Sequence, residues 1–155
     1  MRTDNRTVKN TVVSIYFILI VTGILLATVF KSLRIFADST VIVLLVFFVL
    51  LVLFHSIAGY FEYDSDGAKI IILNKGLILT EYFNYREKKI EFSRNQLVGF
   101  KIRDYILYKS LVVLVKTYDG KKVKERFNVT LLKRRKMRYV KQSLNKTLKA
   151  NRKLK

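Results

Sequence analysis

Eleven lysines and arginines stand between Lys133 and Lys155 without an intervening acid. Plotted at 100° per residue, Arg134, Arg135, Arg138, Lys141, Lys146 and Lys149 share a broad arc of a helix, opposite a stripe of Met137, Val140, Leu144 and Leu148. A cationic arc backed by an apolar stripe can bind an anion while the helix stays docked on a core. The anions in question are lipid headgroups, nucleic acid or an acidic protein, and the lack of interleaved acids leaves salt-bridged solvation incomplete.

Other chemistry is thinly represented. Glu62, Asp64 and Asp66 alternate before Gly67 in EYDSDG, but a calcium loop counted from Glu62 puts Leu73 where a bidentate glutamate is required, so a turn is expected. The chain has no cysteine, and its one histidine, His55, cannot build a cluster within one chain. No G-x-x-x-x-G-K-[ST] loop occurs and no cytoplasmic histidine is present to activate a serine. The expectation is a protein that is not an enzyme, with no metal or cofactor.

The elements that must position the basic helix follow from how charge is distributed. The 155 residues carry a formal charge of +19 beside 51% hydrophobic content, and residues 11–58 contain only Lys31, Arg34 and Asp38 as charges. Val12 to Phe30 is uncharged over a length of about 28 Å as a helix, which matches a hydrocarbon core. A second uncharged run extends from Thr40 to Gly59, and KSLRIFADS between them is too short to recross a bilayer. Two antiparallel spans are therefore expected. Arg2, Arg6 and Lys9 before the first span and the basic C-terminal part place both termini in the cytoplasm. A cleaved signal peptide fits less well, because the apolar run is long and no A-x-A site follows it.

Gly23 and Ala27 form a small-xxx-small pair suited to close helix packing, and His55, near the inner end of the second span, is the only polar hint of a transport path. The division expected is a tail at residues 1–10, a membrane hairpin at 11–59 and a cytoplasmic domain at 60–155. The absence of Pro and Trp beside abundant Lys, Ile, Asn, Phe and Tyr points to a bacterial, AT-rich genome, and hence to the bacterial cytoplasmic membrane.

Beyond Gly59 the pattern shifts to short alternating segments separated by turn residues: YFEYD, AKIIILN, LILTEYFNY, IEF, LVGFKIRD, LVVLVKT and KKVKERFNV. Val98, Phe100 and Ile102 are expected on one face, LVVLV is expected to be buried on both sides, and Asp119-Gly120 marks a tight hairpin. Asn128 or Thr130 is placed to cap the closing helix.

Seven such strands and a closing amphipathic helix, with GLILTEYFNYREKKIEFSRNQLVGFKI leading into an I-x-F-x-x-x-Q-L segment, resemble the pleckstrin-homology-like (PH-like) domains of bacterial membrane proteins. The resemblance implies a sandwich or partly open barrel plugged by the helix, on a membrane-anchored scaffold or accessory protein. Its expected partners are anionic lipids and a protein. The first hairpin, YFEYDSDGAK, has only Lys69 as a cation, which speaks against an inositol-lipid pocket there. A membrane-tethered nucleic-acid-binding protein and a small membrane enzyme or transporter subunit are the alternative readings, the first resting on charge alone.

Overall fold

The computed structural model describes residues 1–25, 28, 39–77 and 87–153. Within them lie three α-helices and seven strands, all paired antiparallel, in two sheets. One sheet has the order β1 (Arg2–Asp4), β2 (Tyr60–Asp64), β3 (Lys69–Lys75), β4 (Lys88–Ser93); the other has β5 (Leu97–Asp104), β6 (Lys109–Lys116), β7 (Lys122–Asn128). The helices are α1 (Arg6–Leu25), α2 (Ser39–Ile57) and α3 (Arg134–Lys153).

Period-two patterning builds the sandwich. Phe61 and Tyr63 on β2 and Ile70 and Ile72 on β3 point inward, to meet Leu111, Val113 and Val115 of β6 and Phe127 of β7. β6 is the central strand of its sheet, and Leu111, Val112 and Val113 are buried in succession, as a strand covered on both faces requires. Val140 and Leu144 of α3 are fully buried in this core, with Met137 and Leu148 packed at its margin. The apolar stripe of the basic helix thus faces the sheets.

Three expectations change. Residues 1–10 are not a tail throughout: Arg2–Asp4 form β1, with Thr3 opposite Tyr63. Val98 is exposed instead of sharing a face with Phe100 and Ile102, because the register shifts between Leu97 and Gly99 and such a bulge reverses the alternation. Asn128 and Thr130 organise the turn before α3: Asn128 Oδ1 accepts from Thr130 N at 3.0 Å and from its hydroxyl at 2.7 Å, while Thr130 Oγ1 accepts from Lys109 N at 3.1 Å. Of the expected strand LILTEYFNY, all but Leu77 lies outside the described residues. The Asp119-Gly120 turn forms as expected, with Gly120 at φ 79°, a conformation that suits glycine.

The two sheets and the two apolar helices meet at one end of the domain. Asn74 Nδ2 on β3 donates to Tyr60 O at 2.8 Å and to Asn128 O at 2.9 Å, and Asn74 Oδ1 accepts from Asn128 N, stitching one sheet to the other. Beside it Asn5, 2% exposed, donates through Nδ2 to Gly59 O at 2.8 Å and accepts at Oδ1 from Phe61 N at 2.9 Å. Its own amide donates to Phe61 O at 3.1 Å. The residue before α1 is thereby locked to the residues just after α2. Gly59 leaves little room there, since a Cβ would stand 3.2 Å from Lys75 O.

Asn5→Ala would strand Gly59 O and Phe61 N–H in a buried place, at about 1–3 kcal/mol for each unsatisfied group. Thermal unfolding of the full chain in mild detergent should show a clearly lowered midpoint for Asn5→Ala and little change for the exposed Asn10→Ala. Equal midpoints for Asn5→Ala and the parent chain would remove Asn5 from its structural role.

Candidate functional site

All six cations predicted on the outer arc of α3, namely Arg134, Arg135, Arg138, Lys141, Lys146 and Lys149, are exposed. Among the described residues none of them forms an ion pair, whereas six acids are matched to other cations: Glu62 to Arg2, Glu91 to Lys69, Glu87 to Lys75, Glu125 to Lys88, Asp104 to Lys109 and Asp4 to Lys136. Arg135 Nε donates to the Tyr139 hydroxyl at 2.9 Å one turn along, which orients the guanidinium without neutralising it. Helix α3 has no acid in its first turn, where acids would complement the macrodipole. Arg134, Arg135 and Lys136 instead stack their charge on the positive end of the helix. This arrangement costs helix stability and strengthens the local field for an anion.

The six cations do not form one site. Lys136 Nζ near the start of α3 donates to Asp4 O at 2.6 Å, beside the first turn of α1. Ser143 lies midway, 2.8 Å from the Tyr63 hydroxyl and 3.2 Å from Ser65 Oγ. Asn151 near the other end donates to Arg94 O at 2.7 Å and Leu97 O at 3.0 Å. The helix therefore runs away from the α1–α2 end, hereafter the helix-proximal end. At a rise of roughly 1.5 Å per residue, Lys149 lies about 20 Å along the axis from Lys136. Arg134, Arg135 and Arg138 are helix-proximal, Lys141 is intermediate, and Lys146 and Lys149 are remote.

Sequence reasoning missed the other cations gathered at the helix-proximal end. Lys133 and Lys136 line a small recess with Asp4, Asn5, Thr7 and Val8. On another side, a groove of about 240 Å³ is lined by Arg6, Lys9 and Lys75 around Tyr60 and Glu62. Lys9 Nζ stands 5.5 Å over the Tyr60 ring, in cation–π range. The Tyr60 hydroxyl donates to Glu62 Oε2 at 2.8 Å; burial first, and then this bond to a carboxylate, push its pKa well above the usual phenol value. Arg6 and Lys9 were legible as flanks of an apolar run. Their approach to Lys75 depends on the Asn5 lock, which no local pattern announces.

Within the apolar helices, Tyr16 of α1 donates its hydroxyl to Leu51 O of α2 at 2.8 Å, and its ring meets that of His55 edge-on at 6.2 Å. His55 thus sits in the seam between the helices. Gly23 has no heavy atom within 4 Å of where a Cβ would stand, and Ala27 lies outside the described residues. Leu77 and Ala58 pack with Tyr16 in a second apolar cluster, joined by Val12, Val13, Leu51 and Leu131.

No family model, curated protein or solved structure matches the chain.

Burial separates the two faces of α3 energetically. Replacing Leu144, fully buried, with aspartate should cost about 3 kcal/mol or more, because a charge would enter the core. Combined Arg134→Gln, Arg138→Gln, Lys141→Gln and Lys149→Gln changes should leave the melting temperature unchanged or slightly raised by relief of repulsion. Circular dichroism melts of the two variants in the same detergent check this, and a large loss in the glutamine variant would show that the cations support the fold.

Proposed function

We propose that the chain is a non-enzymatic, membrane-anchored scaffold or accessory protein of the bacterial cytoplasmic membrane. In this reading two antiparallel spans hold a PH-like domain against the cytoplasmic face, where its basic helix-proximal end engages anionic lipid headgroups and leaves the remote surface for a partner protein. The observation that carries it is the Asn5 lock: the start of α1 and the end of α2 are hydrogen-bonded into the same corner of the sandwich, with no linker between helix and sheet.

Several features support the membrane part. Helix α1 is long and apolar enough to cross a bilayer. Phe17, Ile18 and Ile24 on α1 and Ile42, Leu45 and Phe48 on α2 are more than half exposed, a surface that is costly in water and favourable in lipid. The pairings Asn5 with Gly59 and Tyr16 with Leu51 run in opposite sequence directions, as an antiparallel pair of spans would. For the PH-like part, support comes from a four-stranded and a three-stranded antiparallel sheet with a C-terminal helix packed on their core.

The headgroup contact is confined by screening. A Lys or Arg near an anionic surface contributes about 1 kcal/mol, and the field decays over about 8 Å at physiological salt. With Arg6 and Lys9 at the foot of α1, the surface lies near Arg134, Arg135 and Arg138, while Lys146 and Lys149 stand more than a Debye length away. The remote cations then face the cytoplasm and an acidic partner. Nucleic acid would meet the same charges, but no observation favours it.

Two measurements check the reading in intact membranes and reconstituted vesicles. Tags on both termini should be accessible only from the cytoplasmic side; labelling of either from outside would overturn the topology. In vesicles, Arg134→Gln, Arg135→Gln and Arg138→Gln together should lower the preference for spin-labelled phosphatidylglycerol over phosphatidylcholine, by at most about 3 kcal/mol. Lys146→Gln with Lys149→Gln should leave that preference intact. An equal effect of both variants would show that the domain does not stand on its helix-proximal end.

A further inference from the structure

The β5–β6 and β6–β7 hairpins belong to one sheet and turn at its opposite ends. The remote hairpin turns through the polar Tyr118-Asp119-Gly120 segment, with Gly120 N donating to Thr117 O at 2.9 Å. The helix-proximal hairpin turns through Tyr105-Ile106-Leu107-Tyr108, where turn chemistry would ordinarily place Gly, Asn or Asp. Ile106 is 101% exposed, Leu107 72% and Tyr105 54%, so three successive apolar side chains stand free of the core. Tyr105 N donates to Tyr108 O at 2.9 Å, closing the tip into a defined turn.

Position gives this tip its meaning. Lys109, the first residue after it, accepts at its carbonyl from Val129 N at 2.9 Å, two residues before Leu131, which packs against the cluster of Tyr16 on α1 with Ala58 and Leu77. The tip therefore projects from the end of the domain at which α1 begins and α2 ends. Next to it a groove of about 210 Å³ between the hairpin and α3 has Ile102, Leu132 and Met137 among its lining and carries Arg134, Arg138 and Lys141, while Lys109 there is paired with Asp104 at 3.0 Å. An apolar tip bracketed by two tyrosines, beside a cationic groove, matches the layering of an anionic bilayer surface: aromatic rings at headgroup depth, aliphatic side chains below them, cations at the phosphates.

We infer that Tyr105-Ile106-Leu107-Tyr108 is a second membrane contact, inserted into the interfacial layer of the bilayer that holds α1 and α2. It rests on the membrane reading proposed above and adds a point of attachment on the far sheet. A domain fixed only at the Asn5 corner can pivot about it; a second apolar contact on β5–β6 sets its tilt and turns the groove bearing Arg134 and Arg138 toward the headgroups.

The cysteine-free chain permits a direct test on the full-length protein. Single Ile106→Cys, Ile18→Cys and Tyr118→Cys variants, each labelled with the environment-sensitive fluorophore NBD, are reconstituted into phosphatidylcholine–phosphatidylglycerol vesicles carrying lipids spin-labelled at shallow or deep positions. All three parent side chains are at least half exposed, so labelling should spare the fold, which far-UV circular dichroism verifies. The inference predicts blue-shifted emission at Ile106→Cys with quenching chiefly by the shallow label, quenching at Ile18→Cys by the deep label, and an aqueous, unquenched probe at Tyr118→Cys. An aqueous probe at Ile106→Cys with Ile18→Cys still quenched would overturn the second contact and leave the anchor standing. A blue-shifted but unquenched probe at Ile106→Cys would show that protein, a second copy or a partner, covers the tip instead. Loss of quenching at Ile18→Cys would overturn the membrane reading and this inference with it.

Discussion

Everything at the helix-proximal end depends on one buried amide. Asn5 satisfies the carbonyl of Gly59 and the amide of Phe61, residues more than fifty positions away, and it does so on the boundary between an apolar helix and a sheet. Such a boundary has unsatisfied backbone groups by construction, because the last carbonyls of α2 and the first amides of β2 belong to no shared ladder. An asparagine can donate and accept at once, so one side chain closes both. Asn74 performs the same service between β3 and β7 a short distance away. The corner where the two sheets and two helices converge is thus held by directional polar contacts, and the apolar packing of Ala58, Leu77 and Leu131 surrounds it.

That corner gives the charge distribution a direction. Without it, +19 on a small chain would be an undirected field, good for solubility and weak non-specific attraction. With it, Arg6, Lys9, Lys75, Lys133 and Lys136 collect around the foot of α1, and α3 leads away from that foot. The acids that neutralise Lys69, Lys88 and Lys109 come from strands and the one that pairs with Lys75, Glu87, stands just before β4, and among the described residues none of them reaches the outer face of α3. In the proposed reading, near and remote halves of one helix serve different anions, one a headgroup layer and the other a partner.

Much of this was legible in the residue order, and what was hidden has physical causes. The 3.6-residue period put Val140 and Leu144 in the core and the six cations outside, because a helix of twenty residues repeats its signal several times. The alternation in YFEYD and the Asp119-Gly120 turn were equally plain. Val98 was misplaced because a bulge adds one residue to β5 between Leu97 and Gly99, and the shift shows only in the pairing with β6. β1 was missed because three residues, RTD, are too few to show a period and their partner lies some sixty residues on. The grouping of the candidate site was the least legible part. Spacing along α3 makes Arg134 and Lys149 equivalent, and the contacts of Lys136 with Asp4 at one end and of Asn151 with Arg94 and Leu97 at the other tell them apart.

The central claim is that the N-terminal residues are an integral part of the sandwich and fix it to the apolar helices. Amide hydrogen exchange of the full chain in lipid nanodiscs tests it most directly, at the Phe61 amide that Asn5 holds. The account predicts that Phe61 N–H exchanges as slowly as the amides of the central strand β6, and that Asn5→Ala accelerates it selectively while Leu111 and Val113 stay protected. Exchange at Phe61 as fast as in the exposed turn at Tyr118, in the unaltered chain, would contradict the account, since the domain would then hang from its helices without being held by them.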